Sequence, residues 1–306
     1  MSISMRMIDW SFLREPLQRS RQEENTNIFV NALNLMFNFR GIGWTWADRT
    51  YCPPETRPIN SRGKYTFDTF LWFITSLIFF DAFNYAVIGL SPPGVGTPSG
   101  HSIFDASLPL FPRYAMSTLI TLLYGGVFYF SLEMVYYFAN FVACLLPHFN
   151  ASDWPPLSEA PWRATSLARF WGKHWHQSYH RSFIALAKPL RALFGREGSI
   201  MGAFLISAIL HDWCIWGMGK GTNFTQTGGF FVLMGLGIIL EHMWEWITSK
   251  KAGGVWGWLW TATWLLGCGN LVVDAWMKTG LGGGDLLPPN ARPAKAALDY
   301  IFRAMQ

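Results

Sequence analysis

The apolar runs of this chain constrain it more than any other feature. Five stretches, near 67–90, 114–147, 199–218, 228–247 and 254–277, are mostly apolar. About 20 helical residues, at about 1.5 Å of rise each, cross the hydrocarbon core of a bilayer. Water is absent there, so backbone amides must find their partners inside the segment, and such spans are helical. The expected fold is therefore all-α, a polytopic transmembrane helical bundle. Stretch 114–147 allows one tilted helix with an interfacial extension, or two short, closely turned helices. Residues 28–46 are weaker, interrupted by Asn31, Asn34, Asn38 and Arg40, and are expected as an interfacial or partly buried helix.

Composition agrees with this reading. Only 14% of residues are charged, against about a quarter in soluble domains. The 17 Trp and 25 Phe suit bilayer interfaces and apolar pockets. No long polar module interrupts the runs, so one membrane-embedded domain is expected over 28–278. A polar segment, 1–27, precedes it and a tail, 279–306, follows. Residues 1–27 have no apolar core of a secretory signal, so targeting is expected to rest on an internal span. The net charge of +5 does not point to nucleic acid, because the basic residues flank spans instead of covering one soluble module. Segment 163–196 holds Arg163, Arg169, Lys173, Arg181, Lys188, Arg191 and Arg196 and no acidic residue. It is expected in the cytosol, with the 219–227 loop and the C-terminus lumenal. Cys52, Cys144, Cys214 and Cys268 are scattered and read as reduced thiols.

Charged groups inside spans cost about 2.5–3.5 kcal/mol each on insertion scales. Here they are Asp81, Glu133, His211, Asp212, Glu241, His242, Glu245 and Asp274. Most such groups pair within a bundle or sit near an interface. His211 and Asp212 end the apolar run from Phe204, and Glu241 ends the run from Gly235. A histidine and a carboxylate on neighbouring helices make an oriented base, because the partner fixes the imidazole tautomer. The second constellation is Arg169-Phe170-Trp171-Gly172-Lys173-His174-Trp175-His176-Gln177-Ser178-Tyr179-His180-Arg181. Its cations suit phosphates and its indoles suit a purine base. An interfacial amphipathic helix with snorkelling cations fits the same residues. His176 and His180 stand four apart, but this pattern occurs once and there is no HxxHH, so no metal site is assigned.

Arg169 to Gln177 resembles the RFWGRRWHQ signature of the wax synthase-like branch of membrane-bound O-acyltransferases. Ser207-Ala208-Ile209-Leu210-His211-Asp212 is similar to that branch's SGxxHD segment, with Ala208 where glycine is usual. Asn38-Phe39-Arg40-Gly41-Ile42-Gly43-Trp44 resembles its NxRGIGW element, and Ile238 to Glu241 its penultimate span. The family pattern has further apolar spans ahead of NxRGIGW, where this chain is polar.

The resemblance implies a multi-pass enzyme of the endoplasmic reticulum that moves an acyl group from acyl-CoA to an alcohol. It implies His211 as general base and His176 as the group that positions the thioester or donates to its oxyanion. It implies support from Asp212, Glu241, Trp175 and Gln177, and CoA binding by Arg169, Trp171 and Lys173. Acyl-CoA is then a co-substrate, and no bound cofactor or metal is needed. The signature is closest to fungal members that acetylate terpenoid or meroterpenoid alcohols, which implies acetyl-CoA and a lipophilic alcohol within the membrane. The competing readings are a long-chain wax ester synthase, a non-catalytic membrane protein and a metal-dependent lipid hydroxylase.

Overall fold

A computed structural model describes residues 28–47, 50–147, 149–284 and 291–304 without a break, together with residues 5, 7, 10, 11, 13, 15–20, 287 and 288. Most of the expected polar segment 1–27 and part of the tail lie outside the described residues. The fold is all-helical: α1 Ile28–Phe37, α2 Arg62–Leu90, α3 Leu110–Cys144, α4 His180–Leu186, α5 Lys188–Gly217, α6 Phe224–Thr248, α7 Gly254–Lys278 and α8 Pro293–Ala304. Among the described residues the only β-pairing outside a strand is an isolated bridge between Arg19 and Trp44.

Four helices, α2, α3, α5 and α6, are long and apolar enough to cross a bilayer. They mark a multi-pass integral membrane protein. The fifth expected span does form, as the 25-residue α7, but it is not among these four. Trp256, Trp258, Trp260, Trp264 and Trp276, with Asn270 and Asp274, lower its hydropathy. Stretch 114–147 resolves as one helix of 35 residues, about 52 Å at the usual rise and so longer than a bilayer core. The basic segment 163–196, expected as a loop, is partly helical, holding α4 and the first turns of α5. Gly195 breaks α5 with φ 64° and ψ −143°, a left-handed conformation that a side chain would strain.

The chain groups into two compact units. The first comprises residues 1–56, 150–210 and 231–262; the second comprises 57–149, 211–230 and 263–306.

In the second unit α2 and α3 pair antiparallel along an aromatic ladder: Phe70 with Phe141, Phe73 with Phe138, Phe79 with Phe130. Aromatic pairs add attraction beyond the area they bury. Arg62 donates to the carbonyl of Cys144, which ends α3 and would be unsatisfied there, and to that of Leu146 just beyond it. Buried charges are paired here. Asp81, fully buried in α2, accepts from Arg292 Nε at 2.8 Å and Lys295 N at 3.0 Å. Asp274 accepts from Ser102 Oγ and Ile103 N and pairs with Lys278 Nζ at 2.6 Å.

In the first unit α1 leads into the Asn38–Trp44 element. Asn34 Oδ1 accepts from Trp44 Nε1 at 2.9 Å and from Asn38 Nδ2 at 3.1 Å. The Arg40 guanidinium donates to the carbonyls of Pro155 and Pro156 at 2.6 Å each, tying this element to the chain ahead of the signature.

Candidate functional site

The signature does not lie on a plain α-helix. One turn, Leu167–Arg169, passes directly into a π-helix, Phe170–His174, closed by Trp175 N donating to Phe170 O at 2.8 Å. π-helical turns are rare and concentrate at functional sites. Three devices hold this one. At its start Ser166 Oγ accepts from Arg169 N at 3.1 Å, an N-cap. Behind it the buried Glu241 carboxylate accepts from Leu167 N at 2.6 Å, Ala168 N at 3.0 Å and Trp260 Nε1 at 3.0 Å. At its end Gln177, 2% exposed, donates through Nε2 to the carbonyls of Trp171 and Trp175 at 3.1 and 2.6 Å. The turn also meets backbone closely: a Cβ on Gly257 would lie 2.3 Å from Thr165 O.

The side chains divide by face. Trp175 stacks on Phe170 with ring centroids 5.6 Å apart, and Trp171 meets Phe204 of α5 edge-on at 5.6 Å. His176 is half-buried, its ring 5.5 Å from that of Trp175. Arg169 and Lys173 are exposed. Lys173 Nζ lies over the Tyr51 ring at 5.3 Å. Tyr51 donates to the Glu159 carboxylate, and this bond, with burial and the carboxylate's charge, pushes its phenol up to about 12. His174 joins Glu159 through its ring Nδ1 and the Glu159 carbonyl, and Glu159 N donates to His174 O at 3.0 Å. A cavity of about 300 Å³ opens elsewhere in this unit against Arg19, Arg40, Gly41, Gly43, Trp44 and Cys52.

His211 and Asp212 belong to the second unit. The half-buried imidazole of His211 stacks on the Trp276 indole, 6.0 Å between centroids with planes 18° apart. Trp276 in turn meets Phe128 edge-on at 4.9 Å. Asp212 is buried and accepts from Asn223 N at 2.9 Å, which places its charge at the N-terminus of α6. Asn223 Nδ2 donates to Gln226 Oε1, and Gln226 Nε2 to Asp274 Oδ2 at 3.4 Å. Ala208, one turn before His211, is fully buried.

The expected site residues therefore fall into two groups. Arg169, Trp171, Lys173, Trp175, His176, Gln177 and Glu241 share the first unit, and His211 and Asp212 share the second. Glu241 spends its oxygens on the signature's backbone and Trp260, and Asp212 holds the start of α6. Two other charges expected within spans also have partners: His242 Nδ1 lies 3.0 Å from Glu197, and Glu245 3.8 Å from Lys251. Tyr51, Glu159, Trp260 and Trp276 were not singled out from the sequence. Tyr51, Trp260 and Trp276 are far from the signature in the chain, Glu159 lies ten residues before Arg169, and nothing in their immediate neighbours marks them. Among the described residues no three His, Cys, Asp or Glu side chains gather as a metal site would require.

Residues 154–233 match the Membrane bound O-acyl transferase family. The chain is 28% identical over 160 residues to the acetyltransferase aurG of Calcarisporium arbuscula, covering 46% of this chain and 38% of the relative. It is 27% identical over 224 residues to the acetyltransferase eriL of Hericium erinaceus, covering 69% and 56%. It is 26% identical over 274 residues to an acetyltransferase of Fusarium sporotrichioides, covering 76% and 60%. The chain thus spans less than two thirds of the length of these relatives. No solved structure matches it.

Proposed function

We propose that this chain, which carries the membrane-bound O-acyltransferase segment and is distantly homologous to fungal acetyltransferases, moves an acetyl group from acetyl-CoA to the hydroxyl of a lipophilic alcohol. The observation that carries the reading is where the match falls: residues 154–233 take in both the braced π-helical turn and His211.

His211 is the base in this reading. Neutral imidazole takes the alcohol's proton as its oxygen attacks the thioester carbonyl. The C–O bond forms, the C–S bond breaks, and the imidazolium returns the proton to the departing CoA sulfur. His176 positions the thioester or donates to the oxyanion, supported by Trp175 and Gln177. A fixed donor at that point is worth a few kcal/mol. A thioester is already activated, so neither a covalent enzyme intermediate nor a metal is required. Arg169, Lys173 and the Trp171 indole form the CoA side, where exposed cations suit phosphates. The basic segment faces the cytosol, where CoA is found, and the membrane is that of the endoplasmic reticulum. The acceptor is a hydroxylated terpenoid or meroterpenoid, small enough to reach the base from the bilayer.

Membranes carrying the protein, given radiolabelled acetyl-CoA and a panel of hydroxylated terpenoids and long-chain alcohols, should produce labelled acetyl esters of the terpenoids. Label transferred only from palmitoyl-CoA to long-chain alcohols would overturn the acetyl reading. No ester from any donor would overturn the enzyme reading.

A further inference from the structure

The structure holds a polar donor beside His211 that the chemistry above does not use. Trp276 lies near the end of α7, and its side chain is 9% exposed. One aromatic edge contact, to Phe128, and one stack, on His211, fix its ring. Its indole Nε1–H is buried and meets no acceptor among the described residues. A tryptophan N–H taken out of water normally finds a partner, because leaving it unmade costs about 1–3 kcal/mol. Phenylalanine or leucine would fill an apolar slot without that cost. The neighbouring polar groups make the contrast sharper: Asp212, Asn223, Gln226 and Asp274 are joined in one hydrogen-bonded chain.

We infer that Trp276 is a substrate-contacting residue, with its ring setting the plane of the His211 imidazole and its Nε1–H donating to a substrate oxygen at the reacting centre. The inference rests on the assignment of His211 as base. Two oxygens share the required chemistry: the thioester carbonyl, which gains charge as the alcohol attacks, and a polar oxygen of the alcohol. A donor to the first acts mainly in the transition state, so its loss lowers kcat and leaves KM for acetyl-CoA in place. A donor to the second is made already in the bound substrate, so its loss raises KM for the alcohol.

Trp276→Phe keeps a stacking ring and removes the donor. It should lower kcat/KM by about tenfold to a thousandfold, from the loss of an ordinary hydrogen bond up to that of an oxyanion donor. The pH profile of kcat/KM should keep its shape, because the cover over the imidazole remains. Trp276→Leu removes the cover as well, so it should lose more and move the profile. Should the Phe variant fail to fold, 3-benzothienylalanine introduced at 276 replaces only N–H by sulfur and gives the same readout. A kcat/KM within about threefold of the parent for a folded Phe or benzothienyl variant would overturn the inference. His211→Ala, run alongside, keeps the two readings apart. Near-normal turnover there removes the base assignment itself. An inactive His211→Ala beside a normal Trp276→Phe removes only the role of the indole.

Discussion

The π-helical turn and the ring of His211 are held by different means. Around the π-helical turn of Phe170–His174, the structure is built from hydrogen bonds: a serine cap, a buried carboxylate on two amides, and a glutamine across two carbonyls. Around His211 it is built from rings, with Trp276 stacked on the imidazole and Phe128 meeting Trp276 edge-on. In the proposed function, this hydrogen-bonded backbone is where the charged, water-soluble acyl donor is met. Aromatic faces fix an imidazole while keeping water away, which is the condition in which a neutral base works best. In the proposed reaction the turn is the wet half and the stacked imidazole the dry, apolar half.

Removing the imidazole tests the dry half most severely. His211→Ala should lower acyl transfer by about two to four orders of magnitude, the usual worth of a positioned base, while expression and membrane insertion hold. Near-normal turnover in a folded sample would end the contrast as drawn. His176→Ala should come next. His176→Asn should restore part of the activity, since an amide still donates a hydrogen bond; equal loss in both variants would argue that the ring, not its donor, matters.

Glu241→Gln tests the wet half through its scaffold. The amide group it introduces faces a backbone N–H that needs an acceptor, so about 1–3 kcal/mol of stability should be lost. Thermal unfolding in detergent measures this, and activity per folded molecule should fall with it. An unchanged unfolding temperature would show that the carboxylate does not hold the turn. The smallest effect is expected at the rim. Arg169→Ala and Lys173→Ala should raise KM for acetyl-CoA several-fold, with kcat nearly kept, because contacts to phosphate persist from ground state to transition state. Equal falls in kcat and kcat/KM would move these cations from binding to chemistry.

The helices could be read from apolar runs because hydrophobicity is a local property of sequence. Run 228–247 became Phe224–Thr248, and run 254–277 became Gly254–Lys278. Helix starts were less legible: α2 begins at Arg62 because its first turn is polar and lies outside the run. The break at Gly195 was invisible, since a glycine after Phe194 reads like any other. The same limit applies to the site. Glu241 stood out as an expensive charge, but its partners are amides 74 and 73 residues away, and amides carry no sequence signal. The π-turn was hidden for a related reason, because an extra residue in a helical turn changes no side chain. Trp276 was hidden among seventeen tryptophans in a chain where aromatic residues are ordinary.

The ion pair between Asp81 and Arg292 has a consequence for how the protein is made. The two residues are 211 positions apart, and translation at about 5–20 residues per second separates them by roughly 10–40 s. During that interval α2 must be delivered to the bilayer with its carboxylate uncompensated, so the helix enters the membrane as an unfinished part. Insertion of α2 and the pairing of its carboxylate are therefore separate events in time, and the second waits for the segment that carries Arg292.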